Sequence, residues 1–306
     1  MIDKSNPYFK QAELVGTVLP QIAKYDCFAL KGGTAINLFV RNMPRLSVDI
    51  DLTYLPVEPR DKSLTNIGNT LKQIAQDIEK QVIGASVTKN DSRGQCKLTV
   101  SREGVEIKIE PNLVIRGTVF PCEDRDLCSK AKKTFEMTTR MRIVSLSDLY
   151  GGKICAALDR QHPRDLYDIK FLLDNEGMSE QIRKGFLVYL VSHDRPMHES
   201  LNPIMKDVRG IYETDFQGMA DDYVSYEELI LVRSRLIELI QQKLTQHEKD
   251  FLISFKNGSP EWALLGVDGV EHLPAVRWKL LNIQKMDKTK RENFVRKLRE
   301  VLNKDI

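Results

Sequence analysis

Two aspartates stand two residues apart in the run Ser47-Val48-Asp49-Ile50-Asp51-Leu52. Apolar and acidic residues alternate strictly there, which is the period of a half-buried strand. Val48, Ile50 and Leu52 then face a core, and Asp49 and Asp51 share the opposite face. Neighbouring carboxylates repel each other unless a cation sits between them. Magnesium takes hard oxygen ligands, uses few protein carboxylates and keeps other positions for substrate phosphates. The Asp-x-Asp strand is therefore a candidate magnesium platform, with a solvated strand face as the plainer alternative. Upstream lies Lys31-Gly32-Gly33-Thr34. Gly32 and Gly33 let the backbone approach a phosphate, Thr34 can donate its hydroxyl, and a helix starting near Thr34 aims free N–H groups at the same anion. A phosphate cradle beside a metal platform supplies what a nucleoside triphosphate (NTP) needs.

Further carboxylates and cations extend this set. Glu110 ends the alternating run Val105-Glu106-Ile107-Lys108-Ile109-Glu110. If that strand pairs beside the Asp49 strand, Glu110 can reach the metal as a ligand, or act as base toward an attacking hydroxyl. Lys153 follows Gly151-Gly152 in an otherwise apolar helical pattern and needs a partner. Triphosphate oxygens are one candidate. Asp165 and Asp168 are helix neighbours at i and i+3, able to orient Lys153 or Arg164. The alternative is a structural ion network between helices.

The elements that must position these groups can be read from periodicity. Residues 11–24 and 65–82 carry helical stripes, Phe28-Ala29-Leu30 reads as a buried strand, and Ala35 to Val40 looks helical. Cys96 to Val100 is a second alternating strand, joined to the Glu110 strand by a hairpin turn at Ser101-Arg102-Glu103-Gly104. From about Ser145 the pattern becomes helical, with segments near 149–158, 164–174, 182–191, 226–244 and 291–302. Two domains are expected, 1–145 and 146–306.

Bulk numbers fit that division. A chain of 306 residues exceeds the usual single domain. Hydrophobic content of 42% and charged content of 29% suit a globular protein. The net charge of +3 does not by itself announce a nucleic-acid binder. The five cysteines form no CxxC pair and the histidines show no metal spacing, so reduced thiols in a cytoplasmic protein are expected. The opening residues lack a continuous apolar stretch, so no signal peptide is expected there, and no run approaches the ~20 apolar residues of a membrane span. Residues 284–306 are rich in lysine and arginine, Lys304 among them. A basic helix of this kind tracks phosphates in some proteins and is a solvated face in more. Trp278, flanked by Arg277 and Lys279, could stack a base, but a core position is the expectation.

Taken together, Lys31 to Ala35, Arg45 to Leu52, Ile107 to Glu110, Lys153-Ile154, Arg164 to Asp168 and Leu273 to Leu280 resemble the AbiEii/AbiGii family of nucleotidyltransferase-like toxins. The resemblance implies an α/β (α+β) fold: a polymerase-β-like nucleotidyltransferase core with a small mixed sheet, then a mainly helical C-terminal domain that completes the active site. It implies that Gly32, Gly33 and Thr34 hold the triphosphate, Ser47 lines the nucleotide pocket, and Asp49 and Asp51 bind Mg2+. Lys153 would contact phosphate, and Asp165 or Asp168 would complete the site. Family members look like toxins of toxin–antitoxin or phage-defence pairs, some adding nucleotides to transfer RNA ends. RNA and a cognate antitoxin are thus the expected partners. The same fold can also nucleotidylate or phosphorylate a protein, or bind nucleotide or antitoxin without chemistry. The intact Asp49 and Asp51 argue against the last use.

Overall fold

The computed structural model describes residues 6–90 and 96–303. The chain divides into two compact units: Met1–Ser145 with Phe216–Tyr223, and Leu146–Asp215 with Val224–Ile306.

The first unit opens with helix α1, Pro7–Ile22, where Asn6 caps the start by accepting from the Tyr8 N–H at 2.9 Å. Strand β1 (Phe28–Lys31) leads into the short helix α2 (Gly32–Ala35) and a π-helical turn, Ile36–Val40. Then follow β2 (Asp49–Tyr54), α3 (Arg60–Gln81), β3 (Ser86–Asn90), β4 (Lys97–Arg102) and β5 (Val105–Asn112). β6 (Glu123–Asp126), α4 (Ser129–Phe135) and β7 (Arg140–Ile143) complete the unit. The strands form one mixed sheet in the order β3-β4-β5-β2-β1-β7-β6. The mixed sheet is as expected but wider, because β3, β6 and β7 join the four strands that periodicity revealed. β4 and β5 meet at Glu103 and Gly104, both at positive φ (51° and 76°), as a two-residue hairpin requires.

Alternation explains which face is dry. Ile50, Leu52, Leu98, Val100, Ile107 and Ile109 are all essentially fully buried, as are Ile67, Leu71, Ile74 and Ile78 of α3. Each such side chain contributes about 1.5–3 kcal/mol relative to exposure. α1 packs on β5, and α3 on β3 and β4. This burial leaves the polar residues of β2 and β5 on the other face.

The second unit is helical: α5 (Leu146–Asp159), α6 (Pro163–Asp174), α7 (Glu180–Ser192), α8 (Met197–Leu201), α9 (Arg209–Ile211), α10 (Tyr226–Lys243), α11 (Gln246–Asn257), α12 (Pro274–Gln284) and α13 (Lys288–Leu302). α11 buries Glu248, Phe251, Leu252 and Phe255 along one face. Gly151 faces α7 so closely that a Cβ would stand 2.7 Å from the Gly185 carbonyl carbon. These glycines serve helix packing. Trp278 is 61% exposed, which corrects the core position expected for it. α12 instead buries Ala275, Val276 and Ile283. α13 buries only Val295, Leu298 and Leu302, so its lysines and arginines line the outside; Lys304 lies beyond the described residues. No helix among the described residues is long and apolar enough to cross a membrane.

Candidate active site

β2 holds Asp49 and Asp51 half-buried on one face. β5 runs parallel to it and sets Lys108 against Asp49 and Glu110 against Asp51. On the other side β1 runs antiparallel and sets Lys31 against Asp51. Paired residues project to the same face. One face therefore gathers Asp49, Asp51 and Glu110 together with Lys31 and Lys108. No role was visible for the two lysines in the sequence, because only the strand register brings them here.

The glycine turn abuts this face. Gly32 sits in the left-handed region at φ +70°, and a Cβ on it would stand 2.2 Å from Asp51 Oδ2. The Asp51 carboxylate thus occupies the space that glycine leaves open. A Cβ on Gly33 would stand 2.6 Å from Arg45 Nη2 and 3.2 Å from Ser47 Oγ. Arg45 is 2% exposed and donates to the Leu46 carbonyl at 2.8 Å. The segment Phe216–Tyr223 grips its neighbourhood: Ala220 forms a bridge with Arg45, Leu46 N–H donates to the Met219 carbonyl at 2.9 Å, and Asp221 N–H donates to the Pro44 carbonyl at 2.8 Å. Arg45 is a cation of this site that spacing did not single out. Its bridge comes from a distant segment with no motif of its own.

Thr34 is 1% exposed. Its hydroxyl donates to the Asp49 carbonyl and lies 2.9 Å from Ser47 Oγ. The hydroxyl expected to face a phosphate is therefore engaged in tying the glycine turn to β2. What the turn can offer an anion is backbone N–H groups of its first residues, which lack intrahelical acceptors. Ser47, buried between Gly33 and Thr34, shares this tie.

Glu110 stands in register with Asp51, but its Oε1 lies 3.4 Å from Lys97 Nζ. Among the described residues, no three His, Cys, Asp or Glu side chains are assembled to hold a metal. Asp49 and Asp51 nonetheless fit magnesium, which needs only one or two protein carboxylates when phosphates supply the rest. The absent Cβ at Gly32 keeps the surroundings of the Asp51 carboxylate open enough for it to serve.

The second unit carries a separate cluster. Lys153 of α5 lies 2.8 Å from Asp165 Oδ1 and 3.0 Å from Asp168 Oδ2 of α6. Arg160 adds bonds to both Asp165 oxygens, at 2.5 and 2.9 Å. Asp165 and Asp168 are each 1% exposed, and Lys153 is 7% exposed. Burial works to raise the Asp165 pKa, but Lys153 and Arg160 outweigh it and hold that carboxyl well below the usual range. Both aspartates orient Lys153, and Arg160 takes the place that spacing allowed for Arg164. His162 caps α6 by accepting from the Arg164 N–H at 3.1 Å. Burial, helped by Arg164, pushes its pKa down to about 4, so the ring is neutral.

Known proteins agree with this architecture. None of the curated proteins matches the chain. MenT4, a nucleotidyltransferase toxin from Mycobacterium tuberculosis, shares the fold with a TM-score of 0.63 at 14% identity, covering 95% of this chain and 93% of its own. Terminal uridylyl transferase 4 from Trypanosoma brucei, with bound UPU, covers 95% of this chain and 99% of its own at 12% identity. Its TM-score of 0.27 is too low to carry an argument. The family described as "Nucleotidyl transferase AbiEii toxin, Type IV TA system" matches residues 14–282. The chain therefore belongs to the AbiEii family, the nucleotidyltransferase toxins of type IV toxin–antitoxin systems.

Proposed function

We propose that this protein transfers a nucleoside monophosphate from an NTP to an RNA hydroxyl, with the 3′ end of transfer RNA as acceptor. The observation that carries this reading is the register that sets Asp51 beside Glu110, with Asp49 on the same face and Gly32 yielding space to Asp51. In the reaction the acceptor hydroxyl attacks the α-phosphorus, a new P–O bond forms, and the bond to pyrophosphate breaks. Asp49 and Asp51 would hold magnesium, which when bound neutralises charge on the attacking and leaving oxygens. Gly32 and Gly33 admit the triphosphate to the backbone. Thr34 and Ser47 fix that turn against β2. Glu110, which pairs with Lys97 at 3.4 Å, would take the acceptor proton or add a third oxygen ligand once that pair opens. Lys153, aimed by Asp165 and Asp168, is the cation assigned to the triphosphate.

RNA is favoured over a protein acceptor by the outward basic residues of α13. A cytoplasmic location, a cognate antitoxin and a role in phage defence belong to the same proposal. The test offers each labelled NTP with magnesium to a mixture of total RNA and cell protein. Label in transfer RNA is the expected result. Label confined to protein overturns the RNA assignment.

A further inference from the structure

Lys256, on α11, is only 4% exposed, yet it makes no ion pair or hydrogen bond with a described residue. Its ammonium stands 4.5 Å from the centre of the Phe294 ring of α13. Lys290, one helical turn before Phe294, reaches the same ring at 5.9 Å. His198 of α8 packs against that ring too, with centroids 5.5 Å apart.

The charges that act on Lys256 have one sign. Lys279 and Lys290 both act on Lys256, and Lys297 and Lys256 act on His198. Lys279 is fixed by donating to the carbonyls of His193 and Asp194 at 2.5 and 2.9 Å. The acids felt nearby are Asp194 and Glu199, both exposed. A buried ammonium without a counter-charge is costly. Burial, with Lys279 and Lys290, pushes the Lys256 pKa down to about 8. An arriving anion would relieve this cost.

We propose that Lys256, Lys279, Lys290 and Lys297, gathered around Phe294, bind the phosphodiester backbone of RNA. This surface deepens the RNA reading given above and rests on it. Several lysines around one ring suit a backbone with one charge per nucleotide. The aromatic rings favour nucleic acid over an acidic protein: Phe294 sits inside the cluster, and Trp278 stands exposed beside Lys279 on α12. Cationic grooves with interleaved aromatics are the usual means of holding single-stranded RNA.

The test measures binding of fluorescein-labelled transfer RNA to the Asp49→Ala protein without NTP, across a range of salt. Removing two phosphate contacts with Lys290→Gln plus Lys297→Gln should make the slope of log K against log salt shallower by about 1–2. Affinity at about 0.1 M salt should fall on the order of tenfold. Lys256→Met keeps the packing on Phe294, so it should weaken RNA binding without lowering Tm. Unchanged affinity and slope in both variants overturn the proposal, even if the wild type labels RNA. Equal displacement of RNA by polyglutamate, charge for charge, also overturns it. Labelling of protein alone overturns the acceptor assignment, while the binding curves still decide this surface.

Discussion

Gly32→Ala tests the turn where it meets the metal platform. Alanine must adopt φ +70°, which costs about 1–2 kcal/mol. Its Cβ would also stand 2.2 Å from Asp51 Oδ2, so that carboxylate must retreat by roughly 1 Å. Pushing Asp51 off its rotamer adds about 0.5–1.5 kcal/mol. The sum is about 1.5–3.5 kcal/mol, or a Tm decrease of about 3–14 °C for a unit of this size. A displacement of that order at a reacting centre costs about a hundredfold in rate. Gly84→Ala is the control, because Gly84 has φ +78° with nothing within 4 Å of the added Cβ. It carries the backbone cost alone. Thermal melts and transfer kinetics of both variants separate strain from collision. If Gly32→Ala lost no more stability and activity than Gly84→Ala, the contact between turn and carboxylate would have no functional weight.

The helical cluster makes two pH-linked predictions. Asp165→Asn leaves Lys153 paired with Asp168 alone and should cost about 1–3 kcal/mol by urea unfolding at neutral pH. Because the folded pKa of Asp165 is depressed, its stabilisation is complete above about pH 4 and is lost as pH falls toward the folded value. The variant should therefore lose part of the wild-type acid dependence. His162 stays neutral in the fold down to about pH 4, whereas the unfolded chain protonates near 6.5. Stability should fall as pH drops between those values, and His162→Asn, which can still cap α6, should flatten that slope in unfolding titrations.

Local rules made the site legible in some places and not in others. The dyad alternation of β2 and β5 put Asp49, Asp51 and Glu110 on polar faces before any pairing was known. The hairpin at Glu103-Gly104 was legible because its turn needs positive φ. β6 was not, since Glu123 to Asp126 are all charged, which suits an edge strand and leaves no apolar period. β3, Ser86 to Asn90, is mostly exposed for the same reason. The partner of the Thr34 hydroxyl was not legible, because it is a tertiary fact: a buried hydroxyl takes the nearest carbonyl, here that of Asp49. Arg45 and Lys31 entered through long-range pairing, which spacing along one chain does not encode. Lys153 was legible as a lysine in apolar company needing a partner, and Asp165 and Asp168 supply it.

The carboxylate platform is tested most directly by transfer of labelled nucleotide with Asp49→Ala and wild-type proteins side by side. Both are incubated with NTP, magnesium and total RNA, and folding is checked by circular dichroism and melting. Asp49 projects from a half-buried face, so its loss should leave the sheet intact. The expected result is a folded variant whose RNA gains no label while the wild type labels transfer RNA. A folded Asp49→Ala protein that labels RNA at the wild-type rate would contradict the assignment of Asp49 and Asp51 as the catalytic pair.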